Sequence, residues 1–365
     1  MKKMIALFLT AALALMIAAC GAKENSAADE AAADPTQTVS PEDEALKADC
    51  ESYVSENNFE GIIYVMHGDT VVYESATGTD EEDEALTIDT SLYVGSVSKQ
   101  FCATAIMLLR DRGKLSVNDT LDKYFPAYPL AKELTIKNLL TMRSGIPDMV
   151  NEGAVEEISP DNTEEENVAV IKKWIFSQKL KFDPDSQYAY SNSNYFLLSD
   201  IVEQVSGQYY NTFLRENIFE PLGMDHTGLL TEIPDHPAWC ETLIHDENVQ
   251  ETAYKGIARG AGDIVTNAPD MGKWMQALSG GKIVSAETYG EMTADYSPDY
   301  SPYGYGLTSL IKGGSGHFGR IASYAAVDYM NVKDGYCFFS VSNKLSMSSQ
   351  IDAIASVLLS DYISE

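Results

Sequence analysis

Residues 95–109, GSVSKQFCATAIMLL, place a serine and a lysine three positions apart where an apolar helical stretch begins. Residues three apart share one face of a helix, so Lys99 is expected one turn from the Ser96 hydroxyl. A serine hydroxyl is a poor nucleophile until a base removes its proton, and a desolvated lysine with a lowered pKa is such a base. The positive end of the helix dipole also favours negative charge that develops near Ser96. This stretch therefore predicts a nucleophilic serine.

Two further Ser-x-x-Lys patterns in the chain show that the pattern means little by itself. Ser279 and Lys282 enclose two glycines, which disfavour a continuing helix. Ser309 and Lys312 lie in a predicted strand, where an offset of three points the two side chains to opposite faces. The copy that begins at Ser96 is the one with a helix to organise it.

The hydrophobic patterns predict an α/β (α+β) fold with strands at both ends of the globular region. A mostly helical lobe, about residues 115–280, is expected as an insertion in the α/β lobe. A tight turn at 260–262 is expected before a helix that Asn267 caps. The predicted strands, with a hairpin turning at Gly68-Asp69, are 62–66, 71–74, 304–311, 321–330 and 336–342. The predicted helices are 44–56, 101–109, 135–142, 168–178, 195–205, 270–278 and 350–362.

Three short motifs resemble those of the penicillin-binding proteins and class C β-lactamases. The first is GSVSK with its helix, which matches the S-x-x-K motif of the penicillin-recognising enzymes. YSN at 190–192 is similar to the second motif, Tyr-x-Asn, and HFG at 317–319 to the third, Lys/His-Thr-Gly. Tyr-x-Asn recurs at 209–211 and 329–331, so the order of the three motifs along the chain carries the resemblance.

Longer stretches match the same family. They are LTIKNLLTMRSGIPD (134–148), PLGMDHTGL (221–229) and RGAGDIVTNAPDMGKW (259–274). The resemblance covers roughly residues 44–362. It implies a β-lactamase/DD-peptidase-like fold, in which an antiparallel sheet is flanked by helices.

The resemblance also implies the roles of the catalytic residues. Ser96 attacks an acyl carbon and becomes acylated, while Lys99 and Tyr190 share the transfer of protons. A free tyrosine has a pKa of about 10 and needs nearby positive charge to act as a base. Lys99 and a protonated His317 are expected to supply that charge.

For substrate binding, the resemblance implies Asn192, His317, Gly319 and Arg320. Asn192 is expected to hydrogen-bond the amide or ester side chain of the substrate. The backbone N–H groups of Ser96 and Arg320 are expected to form the oxyanion hole. One position departs from the family, because Phe318 stands where a threonine usually helps to hold a substrate carboxylate. Arg320 is the alternative holder of such a carboxylate.

The first 42 residues predict export and lipid anchoring. Residues 1–19 resemble a signal peptide, with two lysines before an apolar stretch that is short for a bilayer span. IAAC at 17–20 resembles the lipobox of bacterial lipoproteins, so Cys20 is the expected lipidation site and a membrane an expected partner. An ordinary secretory signal is the alternative. Residues 20–42 are small and polar and predict a flexible tether before the hydrolase domain, 43–365.

The charge and the cysteines of the chain indicate which partners, metals and disulfides to expect. The chain carries 25 Lys plus Arg against 55 Asp plus Glu, a net charge of −30, so nucleic acid is not an expected partner. The spacing of His236, Cys240 and His245 fits no zinc pattern, and neither a metal nor a cofactor is expected. The cysteines after Cys20, which allow three disulfide connectivities, are Cys50, Cys102, Cys240 and Cys337. Cys102 and Cys337 are expected as free core residues, and no disulfide as essential.

The leading interpretation is an exported serine hydrolase that cleaves an amide or ester bond through an acyl-Ser96 intermediate. Its substrate is expected to be a small molecule or peptide. A DD-carboxypeptidase-like enzyme is favoured over an esterase, and a class C-like β-lactamase acting on a lactam bond comes third. A catalytically silent binding lipoprotein of the same fold is the rival. The intact Ser96, Lys99 and Tyr190 count against that rival, and Phe318 is the feature in its favour.

Overall fold

Strands from both ends of the chain meet in one six-stranded antiparallel sheet. The computed structural model describes residues 40–154, 157–159, 161–229, 256–298 and 301–364. Its strands are β1 (Gly61–His67), β2 (Thr70–Thr77), β3 (Leu92–Tyr93), β4 (Gly228–Leu229), β5 (Ile264–Thr266), β6 (Thr308–Ser309), β7 (Ser315–Ile321), β8 (Tyr324–Met330) and β9 (Tyr336–Ser342). The sheet order is β2-β1-β9-β8-β7-β6, so the N-terminal hairpin joins the C-terminal strands where β1 pairs with β9.

Helices cover both faces of this sheet. The α-helices of the described residues are α1 (Pro41–Glu56), α2 (Ser98–Asp111), α3 (Ile136–Leu140), α4 (Glu164–Ser177), α5 (Asn192–Ser206), α6 (Tyr210–Leu214), α7 (Glu220–Leu222), α8 (Ala268–Ser279), α9 (Ala286–Thr293) and α10 (Ser348–Leu359). On one face, Ile63 of β1 is buried with residues of α1 and α10. On the other face, Ile62 is buried with Phe101 of α2 and Trp274 of α8. Because successive side chains of a strand point to opposite faces, β1 contributes side chains to two hydrophobic cores, one on each face of the sheet. The predicted antiparallel sheet flanked by helices is confirmed.

A second sheet, of three short strands, has the order β3-β5-β4. Two of its strands, β4 and β5, fall within residues 115–280, which the sequence predicts as mostly helical. Strands of two or three residues are too short to show an alternating pattern, so the sequence does not reveal them. β5 pairs with β3 and thereby joins this region to the segment just before Ser96.

The C-terminal strands differ from the prediction in their boundaries. The predicted strand 321–330 is part of a hairpin, because β7 and β8 are joined at Ala322, whose φ is 51°. The predicted strand 304–311 contains only the two-residue β6. Gly306 has a φ of 70°, and a Cβ there would lie 2.5 Å from the backbone oxygen of Lys99, so this segment packs against α2. The other predicted strands and all seven predicted helices are present, most with shifted ends.

Two residues that the sequence analysis assigns to the tether belong to a helix. Pro41 and Glu42 form the first turn of α1, which Ser40 caps by accepting a hydrogen bond from the backbone N of Asp43. The signal peptide, Cys20 and residues 21–39 lie outside the described residues. Within the described part of the chain, no helix is long and apolar enough to cross a membrane.

The cysteines of the described residues are buried and free. They are Cys50, Cys102 and Cys337, as predicted for the last two. Cys240 and its neighbours His236 and His245 lie outside the described residues.

Candidate active site

Ser96 lies in a short 3-10 turn, Gly95–Val97, that leads directly into α2. Gly95 has a φ of 51°, a conformation that glycine adopts without strain. Two residues on, the hydroxyl of Ser98 accepts a 3.0 Å hydrogen bond from the backbone N of Ile264 in β5. The turn that presents Ser96 is therefore tied to the small sheet as well as to α2.

Lys99 lies beside Ser96 and is fully buried. Its Nζ lies 3.0 Å from the hydroxyl oxygen of Ser96, 2.8 Å from Oδ1 of Asn192 and 2.6 Å from the backbone oxygen of Ala261. Burial lowers the pKa of Lys99 to about 7, and the negative charge of Asp148 is the largest of the effects that oppose this shift. The structure thus brings together Ser96, Lys99 and Asn192, three of the residues that the sequence analysis names for the site.

Tyr190 contacts both of these residues. Nζ of Lys99 lies 4.9 Å from the centre of its ring, and the Ser96 hydroxyl lies close enough to oppose the effect of burial on the pKa of Tyr190. The side chain is 37% exposed at the cleft, but protein surrounds the hydroxyl and raises the pKa of Tyr190 well above its ordinary value. Tyr190 is therefore neutral near pH 7. Its hydroxyl can donate its proton to one group and accept a proton from another, so that the phenol stays neutral.

His317 is placed in the site but does not carry the expected positive charge. Its Nδ1 lies 2.5 Å from the backbone oxygen of Phe318, which can only accept, so Nε2 accepts the 3.1 Å hydrogen bond from the Tyr303 hydroxyl. Burial, followed by the charge of Lys99, lowers the pKa of His317 to about 3. The expectation that a protonated His317 helps to supply positive charge to Tyr190 is wrong, because burial makes that charge too costly.

The backbone of β7 lies directly against the turn that carries Ser96. A Cβ on Gly319 would lie 1.8 Å from the backbone oxygen of Val94 and 3.1 Å from the backbone N of Ser96. A Cβ on Gly95 would lie 2.6 Å from the backbone N of Arg320. Glycine at both positions allows this approach, which brings the backbone N of Ser96 and that of Arg320 to the same part of the site.

The side chain of Arg320 is engaged away from Ser96. Its guanidinium donates to the backbone oxygen of Ser348 at 3.1 Å and pairs with the carboxylate of Asp352, both on α10. Next to it, Phe318 is 37% exposed and lines the cleft. Phe318 therefore offers no donor to a substrate carboxylate, and the guanidinium of Arg320 already has the carboxylate of Asp352 as a partner.

Asp148 is the residue of the site that the sequence does not assign. It ends the stretch 134–148 that matches the family, but no spacing rule pairs it with residue 192. Its carboxylate accepts hydrogen bonds from the backbone N of Asn192 at 2.9 Å and from Nδ2 of Asn192 at 3.1 Å. The side-chain amide of Asn192 is thus held between Asp148 and Lys99.

The cleft in front of Ser96 has a volume of about 450 Å³. Its described lining is Ser96, Tyr188, Tyr190, Ser301, Pro302, Tyr303, Thr308, Ser309, Leu310, His317, Phe318, Gly319 and Arg320. Among these described residues, Arg320 has the one charged side chain near pH 7, because His317 and the tyrosines are neutral. Apart from Arg320, the described lining is therefore an uncharged, largely aromatic and hydroxyl-bearing surface.

Comparison with known proteins places the chain in a family. The beta-lactamase family model matches residues 46–360. The putative penicillin-binding protein PbpX of Bacillus subtilis (strain 168) is 29% identical over 310 residues, which are 80% of this chain and 76% of that protein. The teichoic acid D-alanine hydrolase of Staphylococcus aureus is 22% identical over 304 residues, 78% of this chain and 73% of that protein.

A solved structure supports the same fold. The D-amino acid amidase from Ochrobactrum anthropi SV3, complexed with L-phenylalanine amide, superposes with a TM-score of 0.71 at 21% identity, covering 89% of this chain and 100% of that chain. The chain belongs to the beta-lactamase family. It is a serine hydrolase of that family, of the kind that cleaves amide or ester bonds.

Proposed function

We propose that the protein hydrolyses an ester or amide through an acyl intermediate on Ser96, with Lys99 as the base. The observation that carries this proposal is the buried Nζ of Lys99, 3.0 Å from the Ser96 hydroxyl oxygen, with a pKa of about 7. At neutral pH roughly half of such lysines are uncharged and present a lone pair to the serine proton.

In the proposed reaction, Lys99 and Tyr190 transfer the protons during acylation and deacylation. Neutral Lys99 takes the Ser96 proton as the serine oxygen bonds to the acyl carbon, and the backbone N–H groups of Ser96 and Arg320 hold the developing oxyanion. As the bond to the leaving group breaks, the leaving group takes a proton from the Tyr190 hydroxyl, which regains one from protonated Lys99. Water then attacks the acyl carbon, gives its proton to Lys99, and that proton returns to Ser96 as the acid leaves.

We propose as substrate an ester or amide with no carboxylate next to the scissile bond. The support is the cleft, where Phe318 presents an apolar ring and Arg320 is paired with Asp352. Relatives named as a D-amino acid amidase and a teichoic acid D-alanine hydrolase suggest D-aminoacyl esters and amides as the class to test. A D-aminoacyl group carries an ammonium, and a protein with a net charge of −30 attracts cations. A β-lactam carries the opposite charge.

We further propose that the protein works outside the cell, attached to the membrane by a lipid on Cys20. The support is the sequence IAAC at 17–20 and the polar tract that follows it. A lipid anchor holds a hydrolase near surface substrates without a membrane-spanning helix.

The experiment that tests the catalytic proposal is intact mass after incubation with a fluorophosphonate and, separately, with a penicillin. We expect one fluorophosphonate adduct, which peptide mapping locates on Ser96, and little or no penicillin adduct. Ser96→Ala, shown to be folded by its circular dichroism, should lose all labelling. Ser279→Ala is the matched control, since Ser279 also lies in a Ser-x-x-Lys pattern but its hydroxyl donates within α8, to the backbone oxygen of Met275.

Each result has a distinct consequence. Labelling that persists in folded Ser96→Ala overturns the assignment of the nucleophile. A wild-type protein that takes neither reagent supports the catalytically silent binding protein instead. A stable penicillin adduct supports a penicillin-binding enzyme and contradicts the proposed substrate class.

A further inference from the structure

Asp148, in the loop that follows α3, connects to the buried lysine through a single asparagine. Its side chain is 6% exposed. Its Oδ1 lies 2.9 Å from the backbone N of Asn192 and 3.1 Å from Nδ2 of the same residue. At the other end of that amide, Oδ1 of Asn192 accepts a 2.8 Å hydrogen bond from Nζ of Lys99. Asn192 therefore bridges a buried carboxylate and the lysine of the active site.

The partners of an asparagine amide decide which of its two nearly isosteric orientations it takes. A carboxylate only accepts hydrogen bonds, so Asp148 selects the orientation that directs the NH2 group of Asn192 towards itself. Lys99 then meets the carbonyl oxygen, which is an acceptor. The reversed amide would set an NH2 group against Nζ and leave Lys99 without this partner.

We propose that Asp148 is a positioning residue, which holds the Asn192 amide with its oxygen towards Lys99 and so keeps Nζ beside the Ser96 hydroxyl. This inference rests on the proposed function, in which Lys99 accepts the Ser96 proton. Asp148 acts through Asn192 and is not itself a catalytic residue.

Neighbouring contacts fix Asp148 against the start of α5. The hydroxyls of Ser191 and Ser193 donate to the backbone oxygen of Pro147 at 3.2 and 2.6 Å. Ser191 precedes α5 and makes no side-chain cap, so the carboxylate of Asp148 accepts the first N–H of the helix in its place. The loop and the helix start therefore form one unit, in which the carboxylate has little freedom to move.

The charge of Asp148 also acts on Lys99. The titratable groups that face Lys99 are Asp148, Asp263, Cys102, His317, Tyr190 and Tyr195. Burial keeps the thiol, the imidazole and both phenols of this set neutral near pH 7. Asp148 exerts the largest of the effects that raise the pKa of Lys99 against burial. Its neutralisation therefore lowers that pKa further.

The test compares the rate of Ser96 acylation by a fluorophosphonate across pH in the wild type and two variants. Asp148→Asn keeps an acceptor oxygen and removes the charge, so the midpoint of the profile should move about one unit to lower pH. Asp148→Ala also releases the Asn192 amide, so the plateau rate should fall by about tenfold or more. Asp270→Asn removes another buried carboxylate, 1% exposed at the start of α8, and should keep the wild-type midpoint.

The outcomes separate this inference from the function on which it rests. If the wild type is not labelled at Ser96, the proposed function fails. If it is labelled but both Asp148 variants keep its midpoint and plateau, the inference is overturned, even if the variants melt at lower temperature. If Asp148→Ala does not fold, Asn192→Ala removes the bridge and keeps the carboxylate. An unchanged plateau rate in that variant also overturns the inference.

Discussion

Replacing Phe318 by threonine tests what the cleft selects. Phe318 is 37% exposed on β7, beside the approach of Gly319 to Ser96, at the position where the family usually has threonine. A carboxylate bound there meets an apolar ring, and the guanidinium of Arg320 is already paired with Asp352. Phe318→Thr restores a hydroxyl donor at that point.

The expected size of the effect follows from one hydrogen bond to a charged group. Such a bond contributes about 1.5–3 kcal/mol, which corresponds to roughly ten- to a hundredfold in kcat/KM. An ester with no carboxylate gains nothing from the hydroxyl and loses packing against the ring. The ratio of cephalosporin to ester turnover should therefore rise by at least tenfold in Phe318→Thr.

The assay measures kcat/KM for one chromogenic ester and one chromogenic cephalosporin. Phe318→Val is the matched control, because valine has nearly the shape of threonine but no hydroxyl. We expect the wild type to prefer the ester and the threonine variant to exceed the valine variant in relative cephalosporin turnover. A wild type that already prefers the cephalosporin, or equal ratios in the two variants, would refute the reasoning and make Arg320 the next residue to change.

Two further predictions concern the membrane anchor and the close approach at the site. Cys20→Ala should leave an unprocessed or soluble protein, whereas the wild type partitions into the detergent phase; equal partitioning of both would show that no lipid on Cys20 holds the protein. Gly319→Ala should lose about 1–3 kcal/mol of unfolding free energy and most Ser96 acylation, because its new methyl meets the backbone oxygen of Val94 at 1.8 Å. Gly290→Ala, where a Cβ meets nothing within 4 Å, is the control by thermal melting and should be neutral or stabilising.

The sequence predicts the fold wherever a pattern repeats over several turns or residues. Helix α2 and strand β9 both show such patterns, and both are present. The sequence pattern predicts one strand over 321–330, where the structure has the turn of the hairpin and then β8. The apolar run from Ile321 to Met330 contains no residue that indicates the turn at Ala322. Turn conformations of single non-glycine residues depend on tertiary packing, which a sequence pattern does not contain.

In the candidate site, too, the sequence predicts the contacts between residues close in the chain and misses those that depend on the fold. Ser96 and Lys99 are three residues apart on one helix, so their contact is a local property of the sequence. Lys99 and Ala261 are 162 residues apart in the chain, and the contact is made by the backbone oxygen of Ala261. Every residue has a backbone oxygen, so the residue type at 261 does not predict this contact. Charge states are also missed, because the neutrality of His317 follows from its burial and not from its motif.

The measurement that tests the central claim most directly is the pH dependence of Ser96 acylation. The rate of fluorophosphonate labelling of the wild type is followed by intact mass from about pH 5 to pH 10. Lys99 accepts the serine proton only when it is uncharged, so the rate should rise with pH to a plateau, with its midpoint near 7. A rate that is flat between about pH 6 and 8, or a midpoint near the ordinary lysine value of about 10.5, would contradict a role for buried Lys99 as the base.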